Sequence, residues 1–466
     1  MTRSTSRWIL IGSILGSGAV FVEGTVTTVA LPAIAHGLGL GVSGLQWVMN
    51  GYLLTLSALI LFGGALGDRY ARHRVFAIGL VGFAIASLAC AVAPTLLVLV
   101  IARIVQGAMG ALVVPNSLAL LETAYTGEAR GAAIGRWAAW SGVSTALGPL
   151  AGGWLVDATS WRIVFVCVAP FALAAAAVVA SKAGDRGDAT RAETHVDYAG
   201  AALATLALAG LVGALMLGPD RGYGSPVVLI TGAAGVVLLA AFLVVEHRAP
   251  QPLLPLDVFR SRQFTGVNAT TLLLYAALSG LFFLLMLQLQ TVLGLSARVA
   301  GASLLPINVL MLLLSPYAGR FAERHGPRTP MVAGALVAGV ATLLFTRVQA
   351  GASYATSVIP ATIVFGLGLA CFVAPLTSVA LGALEAGREG LASGVNNAVA
   401  RLAGLLATAI IPVAAGLGGA HNLQPREVAS GFTRAMIICA VLCGAAAGIA
   451  AMTMGVVRTA KPGRAR

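Results

Sequence analysis

Long apolar runs, rather than an alternation of apolar and polar positions, dominate this chain. Fourteen runs approach the roughly 20 residues that an α-helix needs to cross the hydrocarbon core of a bilayer, and most charged side chains fall between them. We therefore predict an all-α membrane protein with fourteen transmembrane helices, at residues 8–31, 45–66, 75–93, 95–121, 132–156, 162–181, 198–217, 226–245, 264–290, 299–318, 330–347, 355–384, 391–416 and 433–457.

The fifth run is built unlike the others. The stretch WSGVSTALGPLAGGWLV, residues Trp140–Val156, has no charge but holds four glycines and Pro149. In a helix interior, glycine costs about 1 kcal/mol relative to alanine and proline about 3 kcal/mol. Small residues let membrane helices approach closely, and proline permits a bend. We therefore predict a thin, bendable helix that packs tightly against a neighbour.

The composition agrees with a membrane protein of many spans. Hydrophobic residues make up 58% of the 466 residues and charged residues 10%, whereas a soluble domain has about 25% charged residues. The first run begins near Trp8 and is too long for a cleavable signal peptide. The five cysteines lie in apolar runs and the six histidines are scattered. Neither a disulfide framework nor a metal or other cofactor is predicted.

The net charge of +13 reflects orientation in the membrane rather than nucleic-acid binding. Of the 29 lysines and arginines, 21 fall on the chain ends and one set of alternate connections, 6 fall on the other set, and Arg103 and Arg401 lie within spans. Cytoplasmic segments carry the excess of basic residues. Both chain ends are therefore predicted to be cytoplasmic, which requires an even number of spans.

Three segments of the first part of the chain recur in order in the second part. GGALGDRYARHR at 63–74 resembles SPYAGRFAERHGPR at 315–328, ALVVPNSLALL at 111–121 resembles CFVAPLTSVAL at 371–381, and RGAAIG at 130–135 resembles EGLASG at 389–394. We predict two six-helix halves, residues 1–181 and 263–466, joined by a linker with a two-helix insertion at 182–262. Two repeated halves around a central site are typical of transporters.

Two ionisable residues lie deep within predicted spans, where a charge is costly and indicates a function or a partner. Glu23 lies about 22 Å along the first span, and Arg103 lies about 12 Å from the outer face along the fourth. An acid and a base at similar depth can pair across a central cavity, and such a carboxyl group is a candidate for proton coupling. The alternatives are a fixed structural ion pair, or Glu23 facing an aqueous vestibule.

The inner end of the second span places small residues beside an acid and several bases. Gly64 and Gly67 allow close helix approach, and Asp68 can pair across a helix terminus, with Arg69 and Arg72 beside it. Contacts of this kind, broken and remade, can gate the inner face. The alternative is a solvated loop whose arginines only fix the topology.

These segments together resemble the major facilitator superfamily and, within it, the fourteen-helix drug:proton antiporter group. GALGDRYARHR resembles the family's G-x-L-x-D-R-x-G-R-R loop, with Ala71 in place of its glycine and His73 in place of a base. LVIARIVQGAMGA, around Arg103, resembles the fourth-helix pattern. VEGTVTTVALP resembles the first-helix pattern, with Glu23 in place of the usual aspartate.

The fifth span resembles the antiporter pattern of the same group, which ends in G-P-x-x-G-G. The matching positions are Gly135, Ser144, Gly148, Pro149, Gly152 and Gly153, with Ser144 where the pattern has a glycine. We predict that these residues form a tightly packed seam, which closes one side of a cavity and bends during alternating access. The alternative is a helix that is merely well packed.

The resemblance implies a proton-coupled exporter of small amphiphilic compounds such as drugs or antibiotics. It implies that Glu23 and Arg103 take part in proton coupling, that the loop around Asp68 switches conformation, and that the proton gradient is the energy source. We expect a monomer in the bacterial plasma membrane. Candidate substrate contacts are Gln46, Asn50, Asn116, Trp140, Asn268, Tyr275, Asn308, Asn396 and Asn397. The alternative for each is hydrogen bonding between helices.

Other functions and substrates remain open at this point. An importer or uniporter of a small metabolite on the same fold is the alternative function. A membrane enzyme or sensor has less support, because the sequence shows no nucleotide-binding loop and no metal-ligand set. Few buried charges favour neutral or cationic amphiphiles as substrates. Arg401 either faces the cavity or extends its side chain towards the interface.

Overall fold

The computed structural model describes residues 3–182, 197–249, 252–385, 388–418 and 424–454, and the regular structure in these ranges is helical. The helices are α1 (Arg3–Leu38), α2 (Val42–Tyr70), α3 (Arg72–Val92), α4 (Leu96–Ala124), α5 (Gly127–Ala158), α6 (Ile163–Lys182), α7 (Tyr198–Arg221), α8 (Pro226–Arg248), α9 (Arg262–Leu287), α10 (Ala297–Ala302), α11 (Leu305–His325), α12 (Arg328–Phe345), α13 (Ile359–Gly382), α14 (Glu389–Ala414) and α15 (Pro425–Thr453).

Each of the fourteen predicted spans coincides with one of these helices, except that α10 and α11 together form the tenth. Thirteen spans within the described residues are long and apolar enough to cross a membrane. The remaining helix, α5, is 32 residues long, but its many glycines and the charges of Arg130 and Arg136 make it less apolar. We call the end of the bundle where α1 begins the inner end, and the end where α1 finishes the outer end. The distribution of arginines predicts that the inner end faces the cytoplasm.

The helices pack as two bundles with the same pattern of neighbours. In the N-terminal bundle (α1–α6), α1 packs against α5 and α6, while α3 and α4 pack against each other and against α6 and α2 respectively. In the C-terminal bundle (α9–α15), α9 packs against α14 and α15, α13 against α11 and α12, and α12 against α15. These are the neighbours that the internal repeat predicts. The domain boundaries at 181 and 262 remain a prediction.

The hairpin of α7 and α8 lies outside the two bundles, with α7 against α2 and α14. Ser43 at the start of α2 donates to Asp220 (3.0 Å), and the hydroxyls of Tyr70 and Tyr198 lie 3.1 Å apart at the opposite end of the same helix. Met216 of α7 lies in an apolar cluster with residues of α14. The hairpin is therefore fixed to α2 at both ends and covers the line where α2 meets α14.

Candidate functional site

Glu23 and Arg103 form an ion pair inside the N-terminal bundle. Nη1 of Arg103 donates to Oε1 of Glu23, and the two side chains are 0% and 1% exposed, respectively. Thr27, one turn along α1, donates to the same carboxylate oxygen at 2.7 Å. Arg103 also donates to Gln106 Oε1 (2.6 Å) and to the carbonyl of Val48 (3.1 Å). The pair therefore connects α1, α2 and α4.

The pair is surrounded by aromatic rings but is not fully hydrogen-bonded. The guanidinium carbon of Arg103 lies 4.4 Å from the ring centroid of Tyr52 and 5.8 Å from that of Phe165. Oε2 of Glu23 and Nη2 of Arg103 are buried and have no hydrogen-bond partner among the described residues. A buried, unpaired polar atom is costly in a low-dielectric interior. One oxygen of the Glu23 carboxyl group is thus left without a hydrogen bond among the described residues.

A cavity of about 450 Å³ lies between the two bundles. Its walls come from α1, α2 and α5 on one side and from α9, α13 and α14 on the other. The lining residues are Phe21, Gly24, Thr25, Thr28, Met49, Tyr52, Leu53, Thr145, Tyr275, Ser279, Phe282, Phe283, Thr377, Ala380, Leu381, Ser393, Asn396, Asn397, Ala400, Arg401, Gly404 and Thr408. The volume falls in the range of small-molecule sites.

The ion pair does not span this cavity, which corrects the expected geometry. Neither Glu23 nor Arg103 lines the cavity, whereas Gly24, the next residue of α1, and Tyr52 both do. The two charged residues pair directly because α1 and α4 contact each other within one bundle. The carboxyl group of Glu23 therefore lies behind the cavity wall, and Glu23 directly precedes a lining residue in the sequence.

Three of the nine predicted substrate-contact residues, Tyr275, Asn396 and Asn397, line the cavity. The other six do not. Five of these six are amides that form hydrogen bonds with the backbone or with another helix. Gln46 donates to the carbonyls of Thr408 and Ala409 (2.7 and 3.1 Å), and Asn50 accepts a hydrogen bond from Thr408. These amides satisfy their hydrogen bonds inside the protein, because apolar surroundings offer no water.

The other three amides outside the cavity also form hydrogen bonds within the protein. Asn116 donates to the carbonyls of Gly63 and Leu112, both at 2.8 Å. Asn268 donates to the Phe264 carbonyl (2.9 Å), and Asn308 donates to the Ala146 carbonyl of α5 (3.3 Å). Trp140 is 56% exposed and lies away from the cavity lining.

The cavity also contains residues outside the nine predicted substrate contacts. Arg401 faces the cavity, which resolves the two alternatives for its side chain, and lies with its guanidinium 5.6 Å from the ring of Phe21. Tyr52 separates the cavity from Arg103. Both are polar residues within predicted spans, which is the signal that points to them. Small hydroxyl residues such as Ser279 give no comparable signal, since they are common in membrane helices.

The outer half of α5 is packed through its small residues on two sides. A side chain at Gly148 would collide with Thr25 of α1, and a Cβ atom at Gly152 would lie 2.9 Å from Val26 of α1. A side chain at Gly153 would collide with the backbone of Ala297 in α10. Likewise, Gly301 of α10 lies directly against the carbonyl of Pro149. Gly153 and Gly301 are required because backbone occupies the space, whereas at Gly148 and Gly152 the space is filled mainly by side chains of α1.

Glycine is less important for packing in the inner half of α5, and the packing role predicted for Gly135 is wrong. Ser144 faces Gly18 of α1, where an added Cβ would lie 3.0 Å from its hydroxyl oxygen. A Cβ atom at Gly135 or Gly142 would meet nothing within 4 Å, so neither glycine is needed for packing here. Gly135 is exposed, whereas Trp137 on the same half of α5 donates to Ser17 of α1.

The cavity is closed at its outer end. The carboxylate of Asp157, at the end of α5, accepts hydrogen bonds from the backbone N–H groups of Ala297 (3.0 Å) and Arg298 (2.8 Å) at the start of α10. Gln290 donates to the Val29 carbonyl of α1 at 3.0 Å. In contrast, lining residues such as Leu381 lie where α13 finishes at the inner end. The cavity therefore extends towards the inner end.

The loop around Asp68 has one tight contact and one local ion pair. A side chain at Gly67 would collide with Asn116 of α4, whereas a Cβ atom at Gly64 would be in ordinary contact with Pro115. Asp68 pairs with Arg72 (2.8 Å), which also donates to the Ala119 carbonyl of α4 (3.3 Å). Arg69 is exposed.

The turn between α2 and α3 has an unusual backbone. Ala71, which stands where the family pattern has a glycine, has φ = +83°. Its counterpart in the sequence repeat, at an offset of 255 residues, is Gly326, whose φ is +93°. The same turn is therefore made in both bundles, with glycine in one and a strained alanine in the other.

A cavity between two similar bundles of membrane-length helices, closed at one end, defines a helical membrane transporter. The chain belongs to the Major Facilitator Superfamily, whose family model matches residues 13–408. It is 33% identical to the tetracenomycin C resistance and export protein of Streptomyces glaucescens, over 87% of this chain and 75% of that protein. It is also 34% identical to a puromycin resistance protein of Streptomyces alboniger (87% and 80% covered) and 33% identical to the methylenomycin A resistance protein of Bacillus subtilis (88% of each).

Solved structures agree on the fold. A bacterial homologue of the human lysosomal transporter Spinster matches with a TM-score of 0.69 at 16% identity, over 97% of this chain and 98% of that chain. A D-xylose–proton symporter matches with a TM-score of 0.65 at 14% identity, with the same coverage of both chains. The predicted all-α superfamily fold, with thirteen or fourteen membrane-length helices, and the resemblance to resistance exporters are confirmed, and the chain belongs to a family of transporters rather than enzymes. The cytoplasmic position of both chain ends remains a prediction.

Proposed function

We propose that this protein is a proton-coupled exporter of small amphiphilic compounds, which acts as a monomer in the bacterial plasma membrane by alternating access. The observation that carries the proposal is the buried Glu23–Arg103 pair, with one free carboxylate oxygen, directly behind the cavity wall. Resistance to antibiotics in three relatives at 33–34% identity supports the direction of transport.

The pair supplies the chemical basis for coupling. When Glu23 is ionised, Arg103 neutralises it, which keeps both buried charges compensated. When a proton binds to Glu23, the attraction is lost and Arg103 is left with Gln106 and the Val48 carbonyl as partners. Protonation therefore changes the force that holds α1 against α4.

Packing connects this change to the closed end of the cavity. Thr25 and Val26 lie within one turn of Glu23 on α1, and they contact Gly148 and Gly152 of α5. The same stretch of α5 contacts α10 through Gly153. A shift of α1 relative to α4 is therefore passed to the outer contact between the bundles. Pro149 lacks the N–H that would bond to the Thr145 carbonyl, which allows α5 to bend there.

A resistance screen in an efflux-deficient bacterium tests the proposal. We expect the wild-type protein to raise the inhibitory concentration of several amphiphilic antibiotics, and Glu23→Gln to abolish this effect while the protein still reaches the membrane. Glu23→Asp, which keeps the acid, is the matched control and is expected to retain part of the resistance. Export against a gradient by Glu23→Gln contradicts proton coupling. Enhanced sensitivity caused by the wild-type protein would instead indicate an importer.

A further inference from the structure

Arg401 is a charged residue at the cavity surface with no ion-pair partner among the described residues. It is half-buried on α14, and its guanidinium faces the ring of Phe21 at 5.6 Å. In the part of the chain that the structure describes, no side chain or carbonyl hydrogen-bonds to it or forms an ion pair with it. Arg103 shows the opposite arrangement, because it is fully buried and paired with Glu23.

The rest of the cavity lining offers no other charge. The remaining lining residues include no aspartate, glutamate, lysine or histidine. Aromatic rings form much of the surface, from Phe21, Tyr52, Tyr275, Phe282 and Phe283. Hydroxyl and amide groups, such as those of Ser279 and Asn397, supply neutral hydrogen bonds. The nearest buried acid on α1, Glu23, lies behind the wall and is already paired with Arg103. The cavity is therefore a positively charged, aromatic chamber.

We propose that Arg401 binds the acidic group of the substrate, and that the exported compounds are aromatic anions bearing a carboxylate or an ionised phenol. A guanidinium binds a carboxylate through two parallel hydrogen bonds and also stacks on aromatic faces. A cationic ligand meets repulsion from Arg401 with no acid in the lining to offset it. This inference rests on the proposed function, and it replaces the expectation of neutral or cationic substrates.

The charge of the substrate also determines the electrical character of the exchange. In a cell with a negative interior, an anion that leaves and a proton that enters both carry positive charge inwards. Exchange of one proton for one monovalent anion thus moves two charges, so the membrane potential as well as the pH gradient drives export. For a monovalent cation the same exchange is electrically neutral. Dependence on potential is therefore a second readout, independent of affinity.

Everted membrane vesicles containing the full-length protein test the inference, with two dyes of one ring system as probes. Fluorescein is an anion and rhodamine 123 is a cation at neutral pH. We expect energised vesicles to accumulate fluorescein, and Arg401→Gln to raise its half-saturating concentration about tenfold or more, the loss expected for a charged hydrogen bond. Arg401→Lys is expected to fall in between. Arg426→Gln, an exposed arginine of α15, is the matched control and is expected to leave uptake unchanged.

The outcomes separate this inference from the proposed function. Collapse of the potential with valinomycin and potassium, at constant pH gradient, is expected to slow uptake of fluorescein. Transport of rhodamine 123 alone, of neither dye, or of fluorescein with unchanged affinity in Arg401→Gln overturns the role of Arg401. In each of these cases the resistance screen still decides whether the protein is an exporter. Thermal unfolding of purified Arg401→Gln, expected to match the wild type, excludes misfolding as the cause.

Discussion

The N-terminal and C-terminal bundles meet along two seams that are built from different chemistry. In the first, α5 contacts α10 backbone to backbone, since Gly153 lies against Ala297 and Gly301 lies against Pro149. Asp157 adds a charged acceptor for the first N–H groups of α10. No side chain fits between these two helices at this seam, so its geometry depends on glycine.

The second seam joins α2 and α14 through side chains. Gln46 and Asn50 of α2 exchange hydrogen bonds with the backbone and hydroxyl of α14 at Thr408. Outside this seam lies α7, whose Met216 contacts Asn50 at 3.2 Å. The insertion of α7 and α8 therefore supports the second seam, whereas the first has no such cover among the described helices.

This difference indicates that the two seams have different roles in transport. The α5–α10 seam is short and unsupported, and it is connected through α1 to Glu23. We infer that it is the contact that separates when the outer end opens. The α2–α14 seam, held along its length and covered by α7, is expected to act as the more constant line about which the bundles turn.

The largest effect is expected from a side chain placed in the glycine seam. Gly153→Leu forces α5 away from Ala297, and Gly148→Leu does the same between α5 and Thr25 of α1. The Ala297 backbone cannot repack around the new atoms, and the packed Thr25 side chain leaves no space for them, so we expect transport to fall about a hundredfold with normal insertion into the membrane. Gly142→Leu, on the same helix but facing open space, is the control. Normal transport by Gly153→Leu refutes the requirement for a closed α5–α10 contact.

Loss of the carboxylate at the same seam is expected to have the next largest effect. Asp157→Ala removes charged hydrogen bonds worth about 1.5–3 kcal/mol from the closed outer end. A cysteine at Thr28, which lines the cavity, reports the result in a background without the native cysteines. We expect an impermeant maleimide added outside to label it about tenfold faster in Asp157→Ala. Asp157→Asn, which keeps one acceptor oxygen, is expected to lie between. Equal labelling rates contradict the role of Asp157.

Substitutions in the α2–α14 seam, which α7 supports, are expected to reduce transport less. Thr408→Val and Gln46→Leu each remove hydrogen bonds between α2 and α14, and such bonds are worth about 0.6 kcal/mol on average in membrane proteins. Export is expected to fall no more than about threefold, as measured by initial rates in vesicles. A loss of export as large as that of Gly153→Leu would mean that transport depends on the α2–α14 seam as strongly as on the α5–α10 seam.

The smallest effect is expected at the turn between α2 and α3, which recurs between α11 and α12. Ala71→Gly is expected to relieve a positive φ angle that costs a non-glycine residue about 1 kcal/mol, with transport unchanged. Gly326→Ala is the reverse experiment and is expected to destabilise the protein by a similar amount. Thermal unfolding in detergent measures both. Destabilisation by Ala71→Gly contradicts the strained conformation of this turn.

The helices and the Glu23–Arg103 pair could be predicted because both follow from position along the chain. Length and hydropathy locate each span, and depth along two neighbouring spans places an acid near a base. The break between α10 and α11 at Ser303 was not predicted, because the proline that follows it, Pro306, has counterparts such as Pro115 inside continuous helices. Gly135 matched a sequence pattern, but the pattern does not say which side of the inner half of α5 is exposed.

The cavity lining could not be predicted because membrane helices are apolar on all sides. In a soluble helix the polar face marks the surface, but here lipid and helix contacts give no such pattern. Gln46 and Asn397 look equivalent in the sequence, yet Gln46 donates to backbone across a seam, whereas Asn397 donates to its own helix and lines the cavity. Only the rotation of each helix distinguishes a tie between helices from a contact with substrate.

Proton coupling through Glu23 is tested most directly in proteoliposomes with an imposed pH gradient and a compound identified in the resistance screen. The wild-type protein is expected to accumulate the compound against its concentration gradient when the pH gradient is imposed. Glu23→Gln is expected to lose this accumulation but to retain exchange of labelled for unlabelled compound, which needs no net proton movement. Accumulation driven by the pH gradient in Glu23→Gln, equal to that of the wild type, would contradict the assignment of Glu23 as the coupling residue.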